Sequence, residues 1–200
     1  MSDTVPLVAF VVFAAANWYA VARKDRQLEY VAKPAALASL IIYGSIGDHA
    51  SAWLVTALAF SLLGDVYLML PADLFAAGLG AFLLAHVAYI IDFDAAILAR
   101  LGWWLVVIAA AAPFALRIMR AVEDRTLRTA VGVYMLIIAL MVASAVASKE
   151  RVAMVGALLF LASDTVLAWN RFVRELPWSQ LVIMVTYHLG QLGLVYALRG

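Results

Sequence analysis

Residues 51–70 read SAWLVTALAFSLLGDVYLML, twenty positions with no basic residue and a single carboxylate, Asp65, set among apolar neighbours. A helix rises 1.5 Å per residue, so about 20 residues cross the ~30 Å hydrocarbon core of a bilayer. The stretch is therefore expected to be a membrane helix, and its one acid would sit inside the lipid-embedded part of the protein. Runs of the same character recur to either side. Of the 200 residues, 67% are hydrophobic and 14% charged, against roughly 45–50% apolar in soluble domains. A soluble core of this size has too little interior to hide that much apolar surface.

Apolar runs between charged or turn-forming breaks predict helices near 5–22, 34–47, 51–70, 74–91, 102–118, 126–147, 151–170 and 178–198. The expected fold class is all-α: a polytopic membrane bundle of about eight transmembrane helices, with residues 1–200 forming one integral membrane domain. Pro6, Pro34 and Pro177 fall at predicted helix starts, where a missing N–H costs least, and Pro113 falls inside the fifth run and is expected to kink it. Helix 2 is expected to be short. The start Met1-Ser2-Asp3-Thr4 lacks a basic leader, so the first apolar run is read as a retained helix.

The basic residues set an orientation. With the N-terminus outside, ten of the 14 Lys and Arg fall on the cytoplasmic side, among them Arg23, Lys24, Arg26, Lys33, Arg117, Arg120, Arg125 and Arg128. Positive charge gathers inside, which favours both termini outside. Trp18, Trp169 and Trp178 then lie at the inner interface and Trp53, Trp103 and Trp104 at the outer one. That bias and the alanine-rich composition point to a bacterial inner membrane. The net charge of +1 offers no attraction for nucleic acid, and the absence of cysteine excludes thiol catalysis, disulfides and thiolate metal sites. Oligomeric state is not legible.

A second acid, Asp164, interrupts the apolar run Phe160-Leu161-Ala162-Ser163-Asp164-Thr165-Val166-Leu167. Burying a carboxylate at such depth costs at least ~2.5 kcal/mol on insertion scales, so groups of this kind face a polar interior. Both predicted helices run in the same direction, and both acids fall about 8 Å from the inner interface. The local patterns Gly64-Asp65-Val66-Tyr67-Leu68 and Ser163-Asp164-Thr165-Val166-Leu167 match in outline and suggest a parallel repeat of two four-helix halves. Two carboxyls held together in low dielectric do not both ionise, and a protonated acid beside a carboxylate base suits hydrolysis of an acid-labile bond. The bland alternative is a hydrogen bond between helices.

Arg171 and Lys33 fall near the inner interface, where they either hold an anionic head group or snorkel to it. Asn170 either caps helix 7 or lines an entrance. Tyr187 and Gln191 share a helix face at i and i+4, and Tyr134 reaches the same depth; each either serves the site or bonds a neighbouring helix. His86 is expected about 10 Å beyond the aspartates, His188 lies off the Tyr187 face, and His49 is in an outer loop. Histidines at three levels do not make a zinc site, and no metal or cofactor is expected.

The residues so far named, read together with their neighbours, resemble the YhhN-like lysoplasmalogenase family. The resemblance rests on Phe60 to Leu70, on Phe75-x2-Gly78-Leu79-x2-Phe82-Leu83-Leu84-Ala85-His86-x2-Tyr89, and on Gly156-Ala157-Leu158-Leu159-Phe160-x2-Ser163-Asp164 with Asn170-Arg171-Phe172. It is completed by Thr186-Tyr187-His188-x2-Gln191 and by Lys33-Pro34. It covers nearly the whole chain in order. It implies a membrane hydrolase that cleaves the vinyl ether bond of lysoplasmalogens, takes a lysophospholipid and water, and uses Asp65 and Asp164 as its catalytic pair. A proton-coupled or lipid transporter is the competing class, since it also uses intramembrane acids. An intramembrane aspartyl protease lacks its signature here, because Leu62-Leu63-Gly64-Asp65 carries only the final Gly-Asp.

Overall fold

The computed structural model describes residues 3–46 and 50–199. Among them the chain forms eight α-helices and no strand: α1 (Thr4–Arg23), α2 (Arg26–Ser45), α3 (Ala52–Met69), α4 (Phe75–Asp92), α5 (Ile97–Ala121), α6 (Arg125–Ala147), α7 (Arg151–Phe172) and α8 (Ser179–Leu198). His49, expected in an outer loop, lies outside the described residues.

Short connections make neighbours antiparallel. The helices pair as α1 with α2, α3 with α4, α5 with α6 and α7 with α8, and α1 returns to α8 to close the bundle. The α7–α8 seam is drawn tight by glycines, since a Cβ on Gly156 would lie 2.9 Å from the Gly190 carbonyl oxygen. In lipid no hydrophobic force drives helices together, so small residues that let backbones touch do that work. By length and composition seven helices suffice to cross a membrane, and the outer faces of α1 and α5 present Val5, Val12, Leu98, Leu105 and Leu116. The chain is an integral membrane protein.

The exception among the eight is α2, and here the sequence expectation fails. Instead of a short helix opening at Pro34, α2 runs 20 residues from Arg26, with the Asp25 carboxylate accepting from the Leu28 N–H at 3.1 Å, and Pro34 lies inside it. Arg26, Glu29 and Lys33 made this segment look like a loop. Their partners explain the helix: Arg26 bonds Glu29 and the Met69 carbonyl, and Lys33, 5% exposed, turns into the bundle. α5 also begins earlier than expected, at Ile97, because Arg100 in its first turn donates to the Ile90, Phe93 and Ala95 carbonyls and ties it to the end of α4. The helix continues on both sides of Pro113.

α5 is the outlying helix. It packs on α6 and, less closely, on α7, and Ile118 is its one fully buried residue. Along its inner side the bundle is left hollow.

Candidate active site

At the end of the bundle where α3 turns into α4, a cavity of 440 Å³ opens between α2, α3, α7 and α8. Asp65 and Asp164 both line it, together with Lys33, Arg171, Asn170 and Tyr187. Tyr134 and Gln191 stand one hydrogen bond behind: Tyr134 on Asp164, and Gln191 on Tyr187. Two acids 99 positions apart thus meet at one space. No hydrogen bond joins them; each has its own set of partners among the described residues.

Asp65 is 2% exposed. One carboxylate oxygen lies 3.1 Å from the Lys33 ammonium, and the other accepts the Tyr187 hydroxyl at 2.8 Å. A second layer fixes Tyr187, because Gln191 donates to its oxygen at 3.3 Å and in turn accepts the Tyr89 hydroxyl at 2.5 Å. Four helices are joined through this one carboxylate. Its depth is tolerable because a buried ion pair with both lone-pair directions occupied is far less costly than an unpaired charge.

Asp164 is built differently. It accepts the Tyr134 hydroxyl, His86 Nε2 lies 3.6 Å from the same oxygen, and His86 Nε2 is 2.9 Å from Tyr134 Oη. No lysine or arginine pairs with it among the described residues, and its side chain is 14% exposed to the cavity. Phe160 packs edge-on against His86 with ring centres 4.8 Å apart, and Phe160, Phe82 and Tyr187 pack edge-on against one another.

Sequence reasoning set His86 well beyond the aspartate layer. The structure brings it to Asp164, since side chains lean toward the N-terminus of their helix and His86 therefore reaches back down α4. Tyr89, quoted from the sequence beside His86 but given no role there, belongs to the Asp65 network by the same geometry. No periodicity along one helix signals these contacts, because every one is between helices. His188 takes no part: its Nδ1 accepts the Trp18 indole N–H at 3.0 Å.

At the mouth, Arg171 pairs with Asp73 at 2.5 Å and lies over the Phe75 ring, holding the α3–α4 connection against α7. That hydrogen bond keeps the Asp73 carboxyl below the usual carboxylate range. Asn170 Oδ1 accepts from the Leu176 N–H and the Ser179 hydroxyl, both at 2.8 Å, and so shapes the α7–α8 turn.

A second cavity, of 910 Å³, fills the hollow between α5, α6 and α7 and is lined almost wholly by apolar side chains, from Ile118 and Phe172 at one end to Trp103 and Met154 at the other. Leu68, Phe75, Phe82, Asp164 and Leu167 border both cavities. Asp164 therefore sits where a cavity with a polar lining meets an apolar one. From it to Met154 the apolar cavity follows α7 for about 15 Å, half the thickness of a bilayer core.

Fold and cavities together define a polytopic helical membrane protein in which two carboxylates from different helices line one cavity. The chain belongs to the YhhN family, whose profile matches residues 28–198. Curated relatives include the proteins named lysoplasmalogenase TMEM86B from Sus scrofa, 39% identical over 146 residues, 72% of this chain and 62% of that one, and from Homo sapiens, 39% identical over 136 residues, 68% and 58%. The Mus musculus protein of the same name is 33% identical over 146 residues, 72% of this chain and 63% of that one. The aligned region thus spans about three fifths of the length of these relatives. No solved structure matches the chain.

Proposed function

We propose that this protein is a membrane hydrolase that cleaves the vinyl ether bond of lysoplasmalogens, giving a fatty aldehyde and a glycerophospho-base. The observation that carries the proposal is the position of Asp164 on the boundary between the apolar and the polar cavity, with Asp65 on the wall of the polar one. A lysoplasmalogen has the same partition. Its alkenyl chain suits the hollow beside α5, its phosphate suits the Arg171 and Lys33 side of the polar cavity, and the vinyl ether between them falls at the acids.

Vinyl ether hydrolysis begins with a proton added to the β-carbon of the double bond, which leaves an oxocarbenium ion at the carbon bonded to oxygen. Asp164 has no cationic partner and enters as the neutral acid that supplies this proton. Asp65, the carboxylate of an ion pair with Lys33, takes a proton from water as that water adds to the oxocarbenium carbon. The product is a hemiacetal. Asp65 then returns its proton to the departing glycerol oxygen while Asp164 takes the hemiacetal hydroxyl proton. The C–O bond breaks, the aldehyde forms, and both acids regain their starting states with one water consumed. General acid and base groups placed in this way contribute about 10²–10⁴-fold each.

The polar cavity belongs at the cytoplasmic face in this proposal, with both termini outside and the protein in a bacterial inner membrane, following the distribution of lysine and arginine. The test is incubation of detergent-solubilised protein with lysoplasmalogen and with its saturated alkyl-ether analogue. Aldehyde from the first alone is expected. Cleavage of both, or turnover that requires a closed vesicle and a proton gradient, would overturn it, the latter in favour of a transporter.

A further inference from the structure

We infer that His86 is a positioning residue for the proton donor, acting on Asp164 through the Tyr134 hydroxyl. This deepens the hydrolase proposal and rests on it.

His86 is fully buried, and one ring nitrogen, Nε2, is hydrogen-bonded to Tyr134 Oη at 2.9 Å. Nδ1 is buried with no partner among the described residues. The direction of the chain follows from the atoms available. A tyrosine hydroxyl has one proton, and that of Tyr134 goes to Asp164 Oδ2. Tyr134 Oη then accepts from His86, so Nε2 carries a ring hydrogen. The result is a donor relay, His86 Nε2–H to Tyr134 Oη–H to Asp164 Oδ2, which leaves Asp164 Oδ1 to hold the transferable proton.

The relay works with the reaction rather than against it. When Oδ1 gives up its proton, Asp164 becomes a carboxylate, and the bond from Tyr134 changes from neutral to charge-assisted, about twice as strong. Histidine behind the tyrosine polarises that bond further, and a water-poor surrounding of Phe160, Tyr134 and the bundle core magnifies the effect. The interaction is stronger after proton transfer than before it, which is the condition for accelerating the step. His86 also fixes Tyr134 with its proton toward Asp164 and not toward the open side of the apolar cavity, which Tyr134 also lines.

A histidine that merely fills space predicts something else, and two isosteric amides separate the cases. In His86→Gln the side-chain amide reaches the place of Nε2 and can still donate to Tyr134; in His86→Asn it reaches only the place of Nδ1. Purified full-length wild type, His86→Gln, His86→Asn and Tyr134→Phe are compared for aldehyde release from lysoplasmalogen, with thermal unfolding in the same detergent. His86→Asn and Tyr134→Phe are expected to lower kcat by about 10–100-fold, as loss of an orienting partner does elsewhere, with KM within two-fold. His86→Gln is expected to recover most of the loss, and His86→Asn combined with Tyr134→Phe to be no worse than Tyr134→Phe alone. Equal activity of the Gln and Asn variants, whether both high or both low, would overturn the relay, as would additive losses in the double variant. Wild type that releases no aldehyde refutes the hydrolase proposal instead, and a wild type killed by Asp164→Asn but untouched by His86→Asn refutes only the relay.

Discussion

Asp65 and Asp164 stand in similar sequence patterns on helices running the same way, yet the bundle gives them opposite surroundings. Asp65 is closed off at 2% exposure, held by an ammonium and a phenol and tied through them and Gln191 to α2, α8 and α4. Asp164 opens to both cavities and has a phenol and an imidazole beside it. The difference teaches that packing alone gives or denies a cation to the same residue type at similar depth, and in the proposed reaction that contrast separates the base from the acid.

The sharpest way to break that contrast is to neutralise each acid in turn. Asp65→Asn and Asp164→Asn are each expected to lower aldehyde release by about 10²–10⁴-fold, but only the first should also destabilise the protein. It leaves Lys33 buried and unpaired, a loss of about 3–5 kcal/mol for a broken buried pair. Thermal unfolding in detergent tests this, and equal stability of the two variants would erase the distinction. A second measurement follows from the pair itself. Lys33→Met alone should be as unstable as Asp65→Asn, whereas Lys33→Met with Asp65→Asn should regain stability without regaining activity, since removing both charges together is nearly neutral.

The apolar side of the contrast is probed by filling it. Ala139 and Ala162 line the hollow beside α5, and Ala139→Phe or Ala162→Phe is expected to lower kcat/KM for long alkenyl chains by about 10-fold, the worth of one or two methylenes of lost contact, while sparing short chains. An equal loss on both would place the chain elsewhere. The smallest effect belongs to the mouth. Arg171→Ala should raise KM about two- to five-fold, the range of an exposed ion pair, with kcat unchanged. The Asp73 carboxyl is held below its usual range by Arg171, so their contact persists above the ordinary carboxylate pKa of about 3.9. It is lost as pH falls through the lowered value, which frees Arg171 for the phosphate, so the wild-type KM should fall in that acid range while that of Arg171→Ala does not.

Much of the fold was legible because lipid imposes one rule on every span: about 20 apolar residues with all backbone groups bonded internally. α3, α4, α6, α7 and α8 fall within two residues of their expected limits. α2 escaped because the same rule marks charge as the end of a span, whereas here Lys33 is received by the bundle and Arg26 and Glu29 pair with each other along the helix. At the site, Asp65 and Asp164 announced themselves as acids that lipid does not tolerate without a purpose, and Tyr134, Tyr187 and Gln191 by their depth. His86 did not, since depth counted along a backbone ignores the lean of a side chain.

The amino-acid sequence by itself determined a helical membrane bundle and the two acids within it, because the cost of polar groups in hydrocarbon is a local property that each segment carries on its own. Only the tertiary structure decided which acid meets Lys33, which meets Tyr134 and His86, and that one of them borders a hydrocarbon cavity. Those outcomes depend on the rotation and packing of eight helices against one another, and contacts across helices leave no period in the sequence of any single one.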